Sequence, residues 1–201
     1  MKKWKCTVCG YIHVGEEPPD ECPVCGADST KFEEMIEASP VEREAGASAG
    51  KDTGFFGKLV ELMLEHHLHP IAVHTPNGIV PAAALFLFLA VALKMSSFEV
   101  AAFYNMGFVL LAMPIVLFSG FIEWQKHYKS AKTTVFFVKI SCGIVVFVSL
   151  VVLVIWRIVN PDVAGLESPA RWIYFLLHLV ALGAVGLAGN LGGKLVFGRK
   201  K

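Results

Sequence analysis

Four cysteines near the start of the chain have the type and spacing that most directly predict chemistry. They form two Cys-x-x-Cys pairs separated by twelve residues, and they are Cys6, Cys9, Cys22 and Cys25. Each pair curls the backbone so that two sulfurs face one ion, and the glycines that follow the pairs, Gly10 and Gly26, permit the tight turns. Sulfur-only tetrahedral sites bind zinc or iron. The spacing therefore predicts a four-thiolate metal site, with iron and zinc as alternatives.

Histidines within or beside long apolar stretches form the second set of residues that could do chemistry. They are His69, His74, His127 and His178. Ionisable side chains at membrane depth are expensive and mark functional sites by default. His178 lies well inside the last apolar stretch, which is rich in glycine. Two interpretations of His178 stay open: an axial ligand of a flat cofactor such as a b-type haem, or a hydrogen-bonded residue at a close helix–helix contact.

Depth in the membrane limits which of these histidines can share one metal. The apolar segments place His74 near the cytoplasmic face and His178 nearer the outer face, about 20 Å apart in height at the helical rise of about 1.5 Å per residue. We therefore expect a cytoplasm-side haem or metal to take His74 together with His127 or His69. His178 would need a different partner.

A third arrangement combines carboxylates with a histidine. Glu123 and His127 are four residues apart, so they share one face of a helix. Together with Glu61 and Glu65 they could form a carboxylate–histidine metal site. The alternative is that Glu123, beside Trp124, anchors a helix end at the membrane interface.

The elements that must position these residues are too apolar for a soluble protein. Hydrophobic residues make up 55% of the 201-residue chain. Four apolar segments, each near the ~20 residues that span a bilayer, follow one another at roughly 71–94, 101–123, 134–157 and 171–196. The sequence thus predicts an all-α membrane domain of four transmembrane helices within residues 69–198. The net charge of +1 argues against a nucleic-acid partner.

The distribution of basic residues orients the predicted helices. The loop after the second segment carries Lys126, Lys129 and Lys132, and the C-terminus is also basic, whereas the other two loops carry balanced charge. The positive-inside rule then places both termini in the cytoplasm. No apolar stretch follows the basic start "MKKWKC", so no secretory signal peptide is predicted. We expect a multi-pass protein of the cell (inner) membrane, with thiols kept reduced by the cytoplasm.

Three segments precede the predicted bundle. Residues 1–37 contain the cysteine pairs and form the predicted head. Residues 38–54, rich in Ala, Gly, Ser and charge, predict a flexible linker. Residues 55–68 show helical spacing of apolar residues. They predict an amphipathic helix that either lies in the membrane interface or packs on the bundle as an ordinary surface helix.

The head also resembles a known family. Its pattern W-x-C-x-x-C-G-Y, then P-P-D-x-C-P-x-C-G-A and KFE, covers about residues 2–36 and resembles the rubredoxin-like domain at the end of rubrerythrins. The resemblance implies a small β/loop knuckle fold and one iron on the four cysteines that cycles between Fe2+ and Fe3+. It also implies an aromatic core of Trp4, Tyr11 and Phe32. Zinc remains the alternative, because spacing alone does not separate the two metals.

The membrane segments resemble a second family. The stretches "LHPIAVHTPNG" and "SGFIEW", with the histidine of the last segment, resemble the four-helix membrane domain known as DUF2231 over residues 69–196. This resemblance implies the fold and supplies no settled activity. His69 and His74 are the positions that match its H-P-x-x-V-H opening.

These features predict a membrane-anchored electron-transfer protein rather than a stand-alone enzyme. The head would exchange electrons with a soluble redox partner, and the bundle would hold haem or meet quinone in the lipid bilayer. The glycine-rich last segment could also serve a homodimer. Two alternatives are a zinc knuckle on a structural or partner-binding anchor, and a quinol-linked reductase that detoxifies oxygen species. The sequence contains no GxSxG, P-loop or dinucleotide fingerprint, which disfavours hydrolase and nucleotide-dependent activities.

Overall fold

A computed structural model describes residues 2–35, 54–165 and 167–198. Nearly all of the predicted linker, residues 38–54, lies outside the described residues. The chain divides into two compact units, each of which is described by itself. The first unit contains residues 1–69, 120–137 and 192–201. The second contains residues 70–119 and 138–191.

The head is a small antiparallel sheet with long turns. Strands β1 (Lys2–Cys6), β2 (Ile12–Gly15) and β3 (Phe32–Glu34) pair in the order β2-β1-β3. Trp4 in the central strand lies opposite His13 on one side and Glu34 on the other. This architecture confirms the expected β/loop knuckle domain, in which the turns carry the cysteines.

The rest of the described chain is helical. The helices are α1 (Phe55–Glu65), α2 (Leu68–Ala72), α3 (His74–Leu93), α4 (Ser96–Lys126), α5 (Thr134–Val159) and α6 (Arg171–Phe197). Within the described ranges, four helical stretches are long and apolar enough to cross a membrane: α2 with α3, then α4, α5 and α6. They confirm the four segments predicted from the sequence. The first is interrupted between Ala72 and His74, as its prolines indicated.

The interior of the second unit is built from regularly spaced apolar residues. On α4 the buried positions are Ala102, Met106, Val109, Met113 and Val116, which alternate steps of four and three residues. That spacing keeps one stripe of the helix against its neighbours. Large apolar side chains also cover the outside of the helices, as expected for segments whose solvent is lipid. Cys142 is buried, as is common for a free cysteine, which packs like a small apolar residue.

A charged pair joins two helix ends in the second unit. The Nε and Nη2 groups of Arg157, near the end of α5, donate to the two carboxylate oxygens of Glu99, near the start of α4. Their side chains are only 18% and 13% exposed, and the Arg157 guanidinium lies 5.5 Å from the centre of the Phe103 ring. The sequence analysis treated these charges only as members of separate loops. The structure shows that they neutralise each other.

Removing one partner of this pair should destabilise the bundle. We expect Glu99→Gln to lower the free energy of unfolding by about 3–5 kcal/mol, because a largely buried guanidinium loses its counter-charge. The double variant Glu99→Met with Arg157→Met should recover most of that loss. Thermal unfolding of the full chain in detergent measures both, with the exposed Glu167→Gln as the control. Equal loss in the single and double variants would contradict this account.

Candidate metal centre

The four cysteine sulfurs of the head converge on one point. All four residues are at most 3% exposed, and their sulfurs lie within 4.8 Å of one another. The Sγ atoms of Cys6 and Cys25 are 3.8 Å apart, and those of Cys9 and Cys22 are 3.6 Å apart. A regular tetrahedron with metal–sulfur bonds of about 2.3 Å has sulfur–sulfur edges of about 3.8 Å. The sulfurs therefore fit the shell of a single tetrahedral metal ion.

Backbone geometry holds each cysteine pair in a tight turn. The amide of Gly10 donates to the Cys6 carbonyl and that of Gly26 to the Cys22 carbonyl, each at 2.8 Å. Both glycines have positive φ, +79° and +69°, a conformation that side chains with a Cβ resist. Backbone amides also point at the sulfurs: Cys9 donates to Cys6, Tyr11 to Cys9 and Cys25 to Cys22. Such hydrogen bonds stabilise thiolates.

Hydrogen bonds among the thiols move their pKa values in opposite directions. The pKa of Cys6 lies well below its ordinary value, chiefly because of the Cys22 thiol. The pKa of Cys22 is lowered to about 7, chiefly by Cys25. The pKa values of Cys9 and Cys25 are raised, with Cys22 the largest cause in each. A metal cation would supply the charge that deprotonates all four.

The aromatic core of the head forms as the resemblance implied. Phe32 is buried, and Trp4 and Tyr11 pack against the same cluster as the cysteines. The Trp4 indole donates to the Gly15 carbonyl at 3.3 Å. These rings exclude water from one side of the sulfur shell and keep β1 on β2.

Residues distant in sequence cover the second cysteine pair. The hydroxyl of Thr133, just before α5, donates to the carbonyl of Cys25. Tyr128, Phe136 and Leu195 are at most 4% exposed and belong to the cluster that contains the four cysteines. All of these residues lie in the first unit. We call Tyr128, Thr133, Phe136 and Leu195 the docking wall. The sequence analysis missed it, because none of its residues has a side chain that marks a metal site.

The predicted histidines occupy different environments. His74 and His127 are exposed on the chain, and His69 is half-buried. The His69 ring lies against Gly120 so closely that a Cβ there would come within 2.7 Å of its Cε1 atom. His178 is fully buried, with Nδ1 3.0 Å from the Tyr174 carbonyl oxygen. Since that carbonyl can only accept, Nδ1 carries the proton, and Nε2 has no hydrogen-bond partner among the described residues.

The alternative carboxylate–histidine site does not come together among the residues that the structure describes. Within the described parts of the chain, the only group of three or more His, Cys, Asp or Glu side chains close enough to share a metal is the cysteine cluster. Glu61, Glu65, Glu123 and His127 all lie in the first unit, yet no three of them converge. Sharing one helix face brings Glu123 and His127 together but does not bring a third ligand from another helix close to them.

Fold and site together define a class: a rubredoxin-like metal site fused to a membrane domain. Residues 4–33 match the family described as "Rubrerythrin, rubredoxin-like domain". Residues 65–200 match the family described as "Predicted membrane protein (DUF2231)", and the chain belongs to that family.

Two curated relatives match short stretches of the chain. Reverse rubrerythrin-1 of Clostridium acetobutylicum is 49% identical over 55 residues, which cover 26% of this chain and 30% of that protein. A putative rubrerythrin of Methanocaldococcus jannaschii is 43% identical over 35 residues, or 17% of each chain. The chain thus spans less than a third of the length of these relatives. No solved structure matches it.

The two turn glycines should respond differently to alanine. Gly10→Ala meets nothing within 4 Å, so only the positive φ opposes it, at a cost of about 1–2 kcal/mol. Gly26→Ala carries the same strain and also places its Cβ 3.1 Å from the Glu21 carboxylate and 3.6 Å from the Thr133 Cβ. We expect the larger loss of metal affinity in Gly26→Ala, measured by competition with a chelator. A larger loss in Gly10→Ala would contradict the tighter surroundings of Gly26.

Proposed function

We propose that the cysteine cluster binds one iron and that the chain is a membrane-anchored electron-transfer protein. The observation that carries this proposal is the convergence of four buried sulfurs at tetrahedral distances in a head that matches the rubrerythrin-type rubredoxin domain. When bound, the iron supplies one-electron chemistry by cycling between Fe2+ and Fe3+. The protein holds the four sulfurs, donates amide hydrogen bonds to three of them and keeps water away.

Fusion of this head to membrane helices favours an electron acceptor within the membrane. A soluble carrier needs no anchor, whereas a centre held at a membrane can serve acceptors that never leave the lipid. We propose a quinone in the bilayer as the membrane-side partner and a soluble redox protein as the other. In this proposal the protein lies in the cell (inner) membrane with the head and both termini in the cytoplasm, as the positive-inside rule indicates. The chain would then be an electron carrier or an oxidoreductase component.

Haem in the bundle is a second candidate for the membrane-side acceptor, and His178 favours it. A histidine that donates Nδ1–H to a carbonyl presents a bare Nε2 lone pair, which is the usual preparation for ligating a metal. A buried acceptor without a partner costs about 1–3 kcal/mol, so an occupant would relieve that cost. The exposure of His74 and His127 makes them weaker candidates for a buried haem.

Three alternative functions or assemblies can each be distinguished by a measurement. A zinc-loaded head on a structural or partner-binding anchor would contain no redox metal. A quinol-linked reductase for oxygen species would turn over with peroxide or superoxide. A homodimer would change the mass of the detergent-solubilised particle without altering the metal site.

Loss of one thiolate should abolish the iron–thiolate colour. We expect Cys9→Ser to remove the reversible visible absorption of the oxidised full-length protein, because the shell loses one of its four sulfurs. Iron and zinc are counted on the same samples, and Cys142→Ser, remote from the cluster in sequence and in the other unit, is the matched control. Unchanged colour in Cys9→Ser, or one zinc and no iron in the native protein, would defeat the iron assignment.

The haem candidate makes its own prediction. If haem is bound, His178→Ala should remove it while His74→Ala retains it, and the iron–thiolate colour of the head should persist in both variants. Haem is measured by the reduced-minus-oxidised spectrum of protein purified in mild detergent. A native protein with iron in the head but no haem leaves quinone as the acceptor. Haem retained in His178→Ala would exclude this residue as its ligand.

A further inference from the structure

The two cysteine pairs have the same local sequence pattern but differ in whether residues from outside the head contact them. Beside the first pair, the hydroxyl of Thr7 donates at 3.0 Å to the Lys31 carbonyl, within the head itself. The space beside Gly10 is open, with nothing within 4 Å of where a Cβ would stand. Beside the second pair, a Cβ on Gly26 would stand 3.1 Å from the Glu21 carboxylate of the head, and 3.6 and 3.7 Å from Thr133 and Val135, which the head does not supply. The cluster therefore has one open side and one docked side.

A single hydrogen bond connects the docking wall to a predicted metal ligand. Thr133 donates to the carbonyl of Cys25, a residue 108 positions away in sequence. The Cys25 side chain is fully buried. Hydrogen bonds to groups around a metal ligand fix its orientation and alter the properties of the metal. Thr133 thus acts on the cluster through Cys25, without touching the metal position.

Aromatic rings continue from the docked side onto the end of α4. The rings of Tyr128 and Phe136 are 4.9 Å apart, and the His127 ring is 4.9 Å from Tyr128. The Trp124 indole donates to the Ala131 carbonyl at 2.9 Å, which closes the turn between α4 and α5. Phe121 follows at 6.0 Å from Trp124. The docked side thus leads from Cys25 through packed rings to a helix that is long and apolar enough to cross a membrane.

We propose that the docked second pair is the membrane-side electron port of the head and that Thr133 is the residue that positions it. This inference rests on the proposed electron-transfer function and specifies its route. The open first pair serves the soluble redox partner, and the docking wall serves a quinone in the bilayer. For a full reduction, two Fe2+ heads each lose one electron to become Fe3+. One quinone gains the two electrons and takes two protons from water to become hydroquinone.

The test follows oxidation of the ferrous full-length protein in lipid nanodiscs by stopped-flow absorption at the iron–thiolate bands. The oxidant is either a short-chain quinone dissolved in the lipid or ferricyanide, a soluble anion. We expect Thr133→Val, which keeps the shape but loses the donor, to slow oxidation by quinone about tenfold or more. Oxidation by ferricyanide should not slow. Thr133→Ser, which retains the hydroxyl, should restore the native quinone rate.

The matched control is Thr7→Val, which removes the equivalent hydroxyl beside the first pair and should leave the quinone rate unchanged. A second readout separates positioning from simple packing. The midpoint potential of the iron should fall in Thr133→Val, because a carbonyl without its donor leaves more electron density on the ligand and favours Fe3+, and it should return in Thr133→Ser. A lower potential would by itself speed oxidation, so slower oxidation by quinone in Thr133→Val reports loss of the route and not loss of driving force. If Thr133→Val fails to hold iron, Tyr128→Leu perturbs the same wall while it keeps the hydrogen bond from Thr133 to the Cys25 carbonyl, and it should give the same selective slowing.

Two results would overturn the route. One is equal slowing of quinone oxidation by Thr133→Val and Thr7→Val. The other is an unchanged quinone rate in both Thr133→Val and Tyr128→Leu. Failure of the proposed function looks different: a native protein with zinc in place of iron shows no iron–thiolate absorption with either oxidant. A native ferrous protein that ferricyanide oxidises and quinone does not would retain the iron but refute the quinone port.

Discussion

Closure of four thiolates around one metal ion is the constraint on which the rest of the head depends. Three short strands and one small aromatic cluster bury too little surface to stabilise about 35 residues on their own. The cysteines occupy the centre of that cluster, so metal binding and folding of the head are one process. The contact between the head and the docking wall also depends on the metal, because the carbonyl that Thr133 contacts belongs to Cys25. Without the metal, that carbonyl would lose the turn that presents it.

The membrane domain is constrained by a different solvent. The backbone N–H and C=O groups of its helices hydrogen-bond within each helix. The few charged groups within these helices must be paired or functional. Glu99 and Arg157 meet this requirement by pairing with each other. His178 does not, since its Nε2 is buried without a partner among the residues described. Among the residues described, the bundle therefore combines a buried ion pair, which stabilises it, with a buried histidine nitrogen that has no hydrogen-bond partner.

Sequence reasoning found what is encoded locally. The Cys-x-x-Cys pairs and the four apolar stretches are recognisable from residue type and spacing, and the rings at Trp4, Tyr11 and Phe32 were implied by the family resemblance. The structure contains all of them. Contacts between distant segments carry no such signal. Thr133 reaches Cys25 across 108 residues, and a threonine before a helix ordinarily reads as a cap. The grouping of Glu123 and His127 with acids of α1 failed for the converse reason, because sequence proximity on one helix says nothing about a second helix.

The central claim is that one chain joins a redox-active iron to a membrane acceptor. The most direct measurement is a redox titration of the native protein in lipid nanodiscs, followed by optical absorption and by electron paramagnetic resonance, with iron and zinc counted on the same sample. The account predicts one iron per chain that gains and loses a single electron reversibly and equilibrates with added quinone and hydroquinone. One zinc per chain, with no signal that responds to potential, would contradict it and leave the head as a structural knuckle.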